Sequence, residues 1–305
     1  SMHTAIWKPF EERLAREYGV PTLVVPPVSS NADFERMPLS SEERRSILER
    51  YDIDETQVVF FLGGAIYPFS NEYSVFLTAL NLAFGKTGKK IALVISSGAG
   101  RPKLPVDAMA RERLHPDITF VNLGNIDDAG YTEILKASDI VCSPGVPDTF
   151  NRFRLPSRLV KAMAMGKPIL TCRCGFGESL ENGVNAFLTD GGNPTDWADT
   201  VSACLDRETR EYVAKNGRTF AELHFNSDRV AANSARVAFR ALSCFSTSSL
   251  AVAMSRSRSA RTRRTSTWWR STRTWAIPGP PLSVSPSRSI SASTSPPRTR
   301  TDPQT

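Results

Sequence analysis

Three arginines, Arg152, Arg154 and Arg158, fall within seven residues around the pair Pro156-Ser157. Guanidinium forks match the paired oxygens of phosphate and carboxylate. Proline followed by serine suits a helix start: proline gives up no needed hydrogen bond there, and a serine oxygen can accept from a free N–H. Such a start offers unpaired backbone N–H groups and a partial positive charge to an anion. The chemistry on offer is anion binding and the stabilisation of negative charge growing on a leaving group. On residue types alone, an ordinary crossover with a solvated basic loop remains open.

The elements around this spot are regular. Ile140 to Cys142 is a short apolar run ended by the turn signal Ser143-Pro144-Gly145. Leu159, Val160, Met163 and Ala164 give the helix an apolar face, and Gly166 ends it. Pro168 to Cys172 then reads as the next strand. Upstream, Gln57 to Leu62 is a strand followed by Gly63-Gly64 and a helix over Tyr73 to Phe84. A glycine pair there lets a ligand approach the backbone, or makes a plain tight turn. Ile91 to Ile95 is the next strand, followed by Ser97-Gly98-Ala99-Gly100 with Arg101 and Lys103 nearby. Ile118 to Leu123 and the helix Tyr131 to Ala137 complete the approach to the central stretch. Strands alternating with helices predict a parallel, doubly wound α/β sheet that takes ligands at the carboxyl ends of its strands.

At the flanks, Trp7 to Tyr18 reads as a helix with Phe10, Leu14 and Tyr18 on its apolar side. Thr22 to Val25 is a strand, residues 26–40 a linker, and Ser40 or Ser41 caps a helix running to about Tyr51. Trp197 to Leu205, Arg207 to His224 and Asp228 to Leu242 are helical in pattern. The expected organisation is a leading helix over 1–19 (or, as a family resemblance implies, a first-domain remnant), a Rossmann-like domain over 20–243, and a disordered tail over 244–305.

The formal charge of +7 is misleading. After Asp228 there are thirteen arginines, no lysine and one acid, so residues 1–228 carry a net −5. The body thus lacks a broad basic surface for nucleic acid. Residues 246–305 are rich in Ser, Thr, Arg and Pro and show no sustained period, which predicts disorder. Trp268, Trp269 and Trp275 among these arginines suit single-stranded nucleic acid, and out-of-frame translation would also give this composition. The expectation is a disordered tail without a nucleic-acid partner. Five cysteines in apolar or helical settings and scattered histidines predict reduced thiols, a cytoplasmic location and no metal site. There is no run of 18 apolar residues, so no transmembrane helix is expected.

The central stretch resembles the donor-binding half of GT-B glycosyltransferases of family 4, also called glycosyl transferases group 1. The resemblance rests on Ser138-Asp139-Ile140-Val141 with Ser143-Pro144, and on Pro156-Ser157-Arg158-Leu159. It also rests on Ala162 to Pro168 (Ala-Met-Ala-Met-Gly-Lys-Pro), on Gly175-Phe176-Gly177-Glu178, and on Asn182 to Leu188. It implies one Rossmann-like half of a GT-B fold and retaining transfer from a nucleotide-sugar donor. It implies no cofactor and no protein-held metal. The donor would be held by Gly63, Gly64, Ser97, Arg101, Asn151, Arg154, Pro156, Ser157, Arg158 and Lys161. The acceptor domain would come from a missing segment or a separate chain.

Two departures are visible. The family has basic residues soon after its glycine pair, whereas Ala65 to Ser70 holds none. Its two loop-and-helix glutamates align with Phe153 and Lys161. Asp148 is the nearest carboxylate and is the candidate catalytic residue, with Asn151 beside it. These departures keep open the alternative of a non-catalytic module that binds a nucleotide or a partner.

Overall fold

The computed structural model describes residues 3–5, 8–19, 22–35, 38–64, 66, 71–96 and 105–236. The predicted tail, and the end of the predicted helix over Asp228 to Leu242, lie outside these residues. That helix is seen over 227–236.

The chain opens with β1 (His3–Ala5), α1 (Lys8–Tyr18) and β2 (Thr22–Val24), and the two strands pair in parallel as a small sheet of their own. Then come α2 (Asn31–Glu35), α3 (Ser41–Glu49), β3 (Val58–Gly63), α4 (Glu72–Thr87) and β4 (Ile91–Ser96). They are followed by α5 (Val106–Arg113), β5 (Thr119–Asn122), α6 (Asp128–Ala137), β6 (Ile140–Ser143), the short α7 (Thr149–Arg152) and α8 (Ser157–Ala164). The series closes with β7 (Ile169–Cys172), a 3-10 turn at Gly175–Ser179, β8 (Phe187–Thr189), α9 (Pro194–Cys204) and α10 (Arg207–Phe225).

Six strands form one wholly parallel sheet in the order β5-β4-β3-β6-β7-β8. Alternate residues of each strand face opposite layers. Val59 and Phe61 join the core beneath α3, α6, α8 and α10, whereas Phe60 and Leu62 join the core beneath α4, α5 and α9. Burial on both faces explains why these strands are continuous apolar runs. The strand order reverses between β3 and β6, which opens a crevice outside their carboxyl ends.

Two expectations change. The 26–40 linker contains α2, because Asp33 accepts from the Ser30 N–H and hydroxyl and so fixes a helical turn. The apolar side expected for α1 is not buried: Phe10 is 36% exposed and Tyr18 62%. Phe10 meets Phe153 edge-on with ring centroids 5.7 Å apart, and the Arg13 guanidinium sits 5.5 Å from that same ring. The segment after β2 is strapped to the end of α10. The Ser29 N–H donates to the Phe225 carbonyl at 2.9 Å, and the Ser227 N–H donates to the Ser29 carbonyl at 3.1 Å.

Candidate functional site

A cleft of about 530 Å³ lies at the strand-order reversal. Its walls include Ser29, Gly63 and Gly64 at the end of β3, Tyr131 of α6, and Arg154, Pro156, Ser157, Arg158 and Lys161 around the start of α8. Seven of the ten donor-binding candidates named from the sequence converge here.

Among the described residues no side chain caps α8. α4 and α5 also start without a side-chain cap, whereas α3, α6, α7, α9 and α10 are capped by Ser40, Asp127, Asp148, Asn193 and Asp206. The first turn of α8 thus brings backbone N–H groups and the positive end of the helix dipole to the cleft. Arg158 Nη2 donates to Ser143 Oγ at 2.9 Å, which joins this turn to the carboxyl end of β6.

The glycine pair is required by the protein's own packing at the cleft wall. A Cβ at Gly63 would lie 2.6 Å from Tyr131 Cε2, and a Cβ at Gly64 would overlap Arg158 Nη1. Gly64 also has φ +102°, a conformation that suits glycine. The two glycines make room for the protein's own tyrosine and arginine at the cleft wall.

Asp148 and Asn151 are placed differently from the other candidates, and neither is among the cleft-lining residues. An Asp148 carboxylate oxygen accepts from the Asn151 N–H at 2.7 Å and caps α7. Asn151 is buried, and its amide donates to Glu72 Oε1 at 2.5 Å and to the Val146 carbonyl at 3.1 Å. Both residues hold the loop that carries Arg154, whose guanidinium lies 5.4 Å from the Phe150 ring. Lys161 donates to Thr132 Oγ1 at 3.1 Å and sits 5.8 Å from the Tyr131 ring centroid. Ser97 and Arg101 lie outside the described residues.

Residue-type reasoning missed Tyr131 and Ser29. Tyr131 packs on Phe61 at 5.2 Å, and burial pushes its phenol pKa up while the Arg158 charge pulls part of that back. In the sequence Tyr131 is only the first residue of a helix and Ser29 only linker, and no local pattern marks either.

A second depression, of about 430 Å³, lies at the amino ends of the strands and is lined by Arg44, Asp139, Lys167, Arg207 and Arg210. Among the described residues, no group of three or more His, Cys, Asp or Glu is placed to hold a metal ion. No helix of the described residues is long and apolar enough to cross a membrane.

The family description "Glycosyl transferases group 1" matches residues 56–207. A D-inositol 3-phosphate glycosyltransferase of Corynebacterium jeikeium is 26% identical over 219 residues, covering 68% of this chain and 51% of the relative. One of the same name from Mycolicibacterium smegmatis is 34% identical over 76 residues, 25% of this chain and 16% of the relative. The chain thus spans about half the length of the longer-matching relative or less. Among solved structures, Anabaena HepE in complex with UDP-glucose superposes with a TM-score of 0.63 at 17% identity, covering 79% of this chain and 64% of that one. The C-terminal domain of a glycosyl transferase group 1 family protein from Francisella tularensis gives a TM-score of 0.52 at 17% identity, covering 65% of this chain and 99% of that domain. With its wholly parallel six-stranded sheet and the match over residues 56–207, the chain belongs to the glycosyl transferases group 1 and has the Rossmann-like architecture of a GT-B half.

Proposed function

We propose that the cleft binds the diphosphate of a nucleotide-sugar donor, and that this chain is the donor-binding half of a retaining glycosyltransferase. The observation that carries the reading is the uncapped start of α8, with Arg158 tied to Ser143 at the crevice between β3 and β6. As the bond between sugar and diphosphate breaks, negative charge grows on the leaving phosphate. The Ser157 and Arg158 N–H groups and the Arg158 guanidinium are fixed before that charge develops, which is what makes such donors effective. Arg154 and Lys161 add positive charge to the same wall. No cofactor and no protein-held metal enters this proposal.

The Anabaena neighbour was crystallised with UDP-glucose, which supports a nucleotide-sugar as the ligand class. The near-complete match to an isolated C-terminal domain supports the donor-side assignment. The acceptor site would belong to the remainder of a longer protein or to a separate chain. Among the described residues four buried free cysteines, with the Cys142 thiol pushed well up by burial, fit a reducing compartment such as the cytoplasm.

A second reading, a module that binds donor without turning it over, is favoured by the commitments of the loop. Phe153 packs on Phe10, Lys161 bonds Thr132, and Asp148 caps α7. A thermal-shift panel of nucleotide-sugars, with nucleotide release followed over hours, separates the two. A melting temperature raised by one nucleotide-sugar, together with slow release, supports the transferase. The same rise without release supports the binding module. No rise with any of them contradicts both.

A further inference from the structure

Two residues of the cleft wall carry a buried hydroxyl without a hydrogen-bond partner among the described residues: Tyr131 Oη and Ser29 Oγ. Buried polar atoms are satisfied in about nine cases of ten, so each such atom calls for an explanation. A phenylalanine at 131 would fill the same volume and leave nothing unpaired.

Both side chains are held in place. The Tyr131 ring is packed on Phe61, lies beside the Lys161 ammonium, and occupies the space that a Gly63 side chain would take. Ser29 is 3% exposed, and its backbone is bonded on both sides by the end of α10. Hydroxyls already fixed in a cleft wall can bond a ligand with little further loss of side-chain freedom.

We infer that Tyr131 is a ligand-binding residue whose hydroxyl donates to an anionic oxygen of the ligand held by Arg158, and that Ser29 supplies a second hydrogen bond from the segment after β2. The inference rests on the nucleotide reading above and identifies contacts within that site. The guanidinium close to Tyr131 and the ammonium against its ring make the neighbourhood electropositive, so a phosphate oxygen is the acceptor that fits. Burial keeps the phenol protonated at neutral pH, and it is therefore available as a donor. The glycine pair is part of this arrangement, since Gly63 admits the tyrosine and Gly64 the arginine.

The test is calorimetric titration of the full chain with UDP, GDP, ADP and pyrophosphate, using wild type, Tyr131→Phe and Ser29→Ala, with a thermal melt of each unliganded protein. Loss of one hydrogen bond to a charged acceptor should weaken nucleotide binding about tenfold in Tyr131→Phe, and about threefold in Ser29→Ala. The unliganded melting temperature should stay level or rise, because an unpaired buried hydroxyl has been removed. Wild-type affinity in Tyr131→Phe overturns the inference while leaving the nucleotide reading intact. A lowered melting temperature with unchanged affinity overturns it too, and makes the hydroxyl structural. Failure of the wild type to bind any of the four probes overturns both.

Discussion

The two ends of the parallel sheet carry similar charges and use them differently. At the amino ends, Arg44 donates to the Ala137 carbonyl at 3.1 Å, to the Glu55 carbonyl at 3.1 Å and to Asp139 Oδ2 at 2.8 Å. Asp139 also accepts from the Val59 N–H at 2.8 Å, and Lys167 bonds the carbonyls of Lys136 and Ser138 at 2.5 and 2.8 Å. These charges are committed to the protein's own backbone, where they fasten α3, α6 and the start of β3. At the carboxyl ends α8 starts without a cap and two hydroxyls stand unpartnered among the described residues. A concentration of cations therefore does not by itself mark a site. The polar capacity left after the fold has satisfied itself does.

This contrast can be broken at either end. The largest effect is expected from Gly64→Val, which displaces Arg158 and places a branched side chain at φ +102°. It should reduce nucleotide affinity at least a hundredfold in calorimetry and lower stability by about 2–3 kcal/mol in urea unfolding. Lys167 is next. Burial pulls its pKa down to about 8 from 10.5 in the unfolded chain. The unfolded state therefore holds more protons between pH 8 and 10.5, so stability rises with pH across that window. Measured against Lys167→Met, the wild type should gain on the order of 3 kcal/mol from pH 8 to 10.5, and a flat difference would contradict a buried, destabilised ammonium at this position.

Arg44→Ala leaves Asp139 and two carbonyls short of a partner and should lower stability by about 2 kcal/mol. Because it acts at the opposite end of the sheet, nucleotide affinity should stay within about twofold. Asp148 separates capping from chemistry at small amplitude. Asparagine caps as well as aspartate, so Asp148→Asn should change stability by less than about 0.5 kcal/mol, whereas Asp148→Ala loses about 1 kcal/mol. Unchanged nucleotide release in Asp148→Asn is the expected result, and a large fall would give the carboxylate a catalytic role.

The sheet was legible in the sequence because doubly buried parallel strands leave continuous apolar runs: β3, β4, β6 and β7 lie within one or two residues of the runs that predict them. The helix start at Pro156-Ser157 was legible because its signals are local. α2 and α5 were not, because each is short, with two buried residues apiece, too few to set a period. The roles of the glycine pair, Tyr131 and Ser29 were hidden for a different reason. Gly63 meets a ring 68 residues away, and Gly64 meets a guanidinium 94 residues away. Asp148 and Asn151 stand out by residue type, but type cannot distinguish a cap or a buried strut from a ligand contact.

The most direct measurement is calorimetric titration of the full chain with UDP, GDP and ADP, in parallel with Arg158→Ala. Saturable binding of at least one nucleotide is expected, with an affinity at least tenfold weaker in the variant, since a charge-assisted contact to phosphate is lost. Wild-type protein that binds none of them at millimolar concentration, or an Arg158→Ala chain that binds as well as wild type, would contradict the assignment of this cleft to a nucleotide's phosphates.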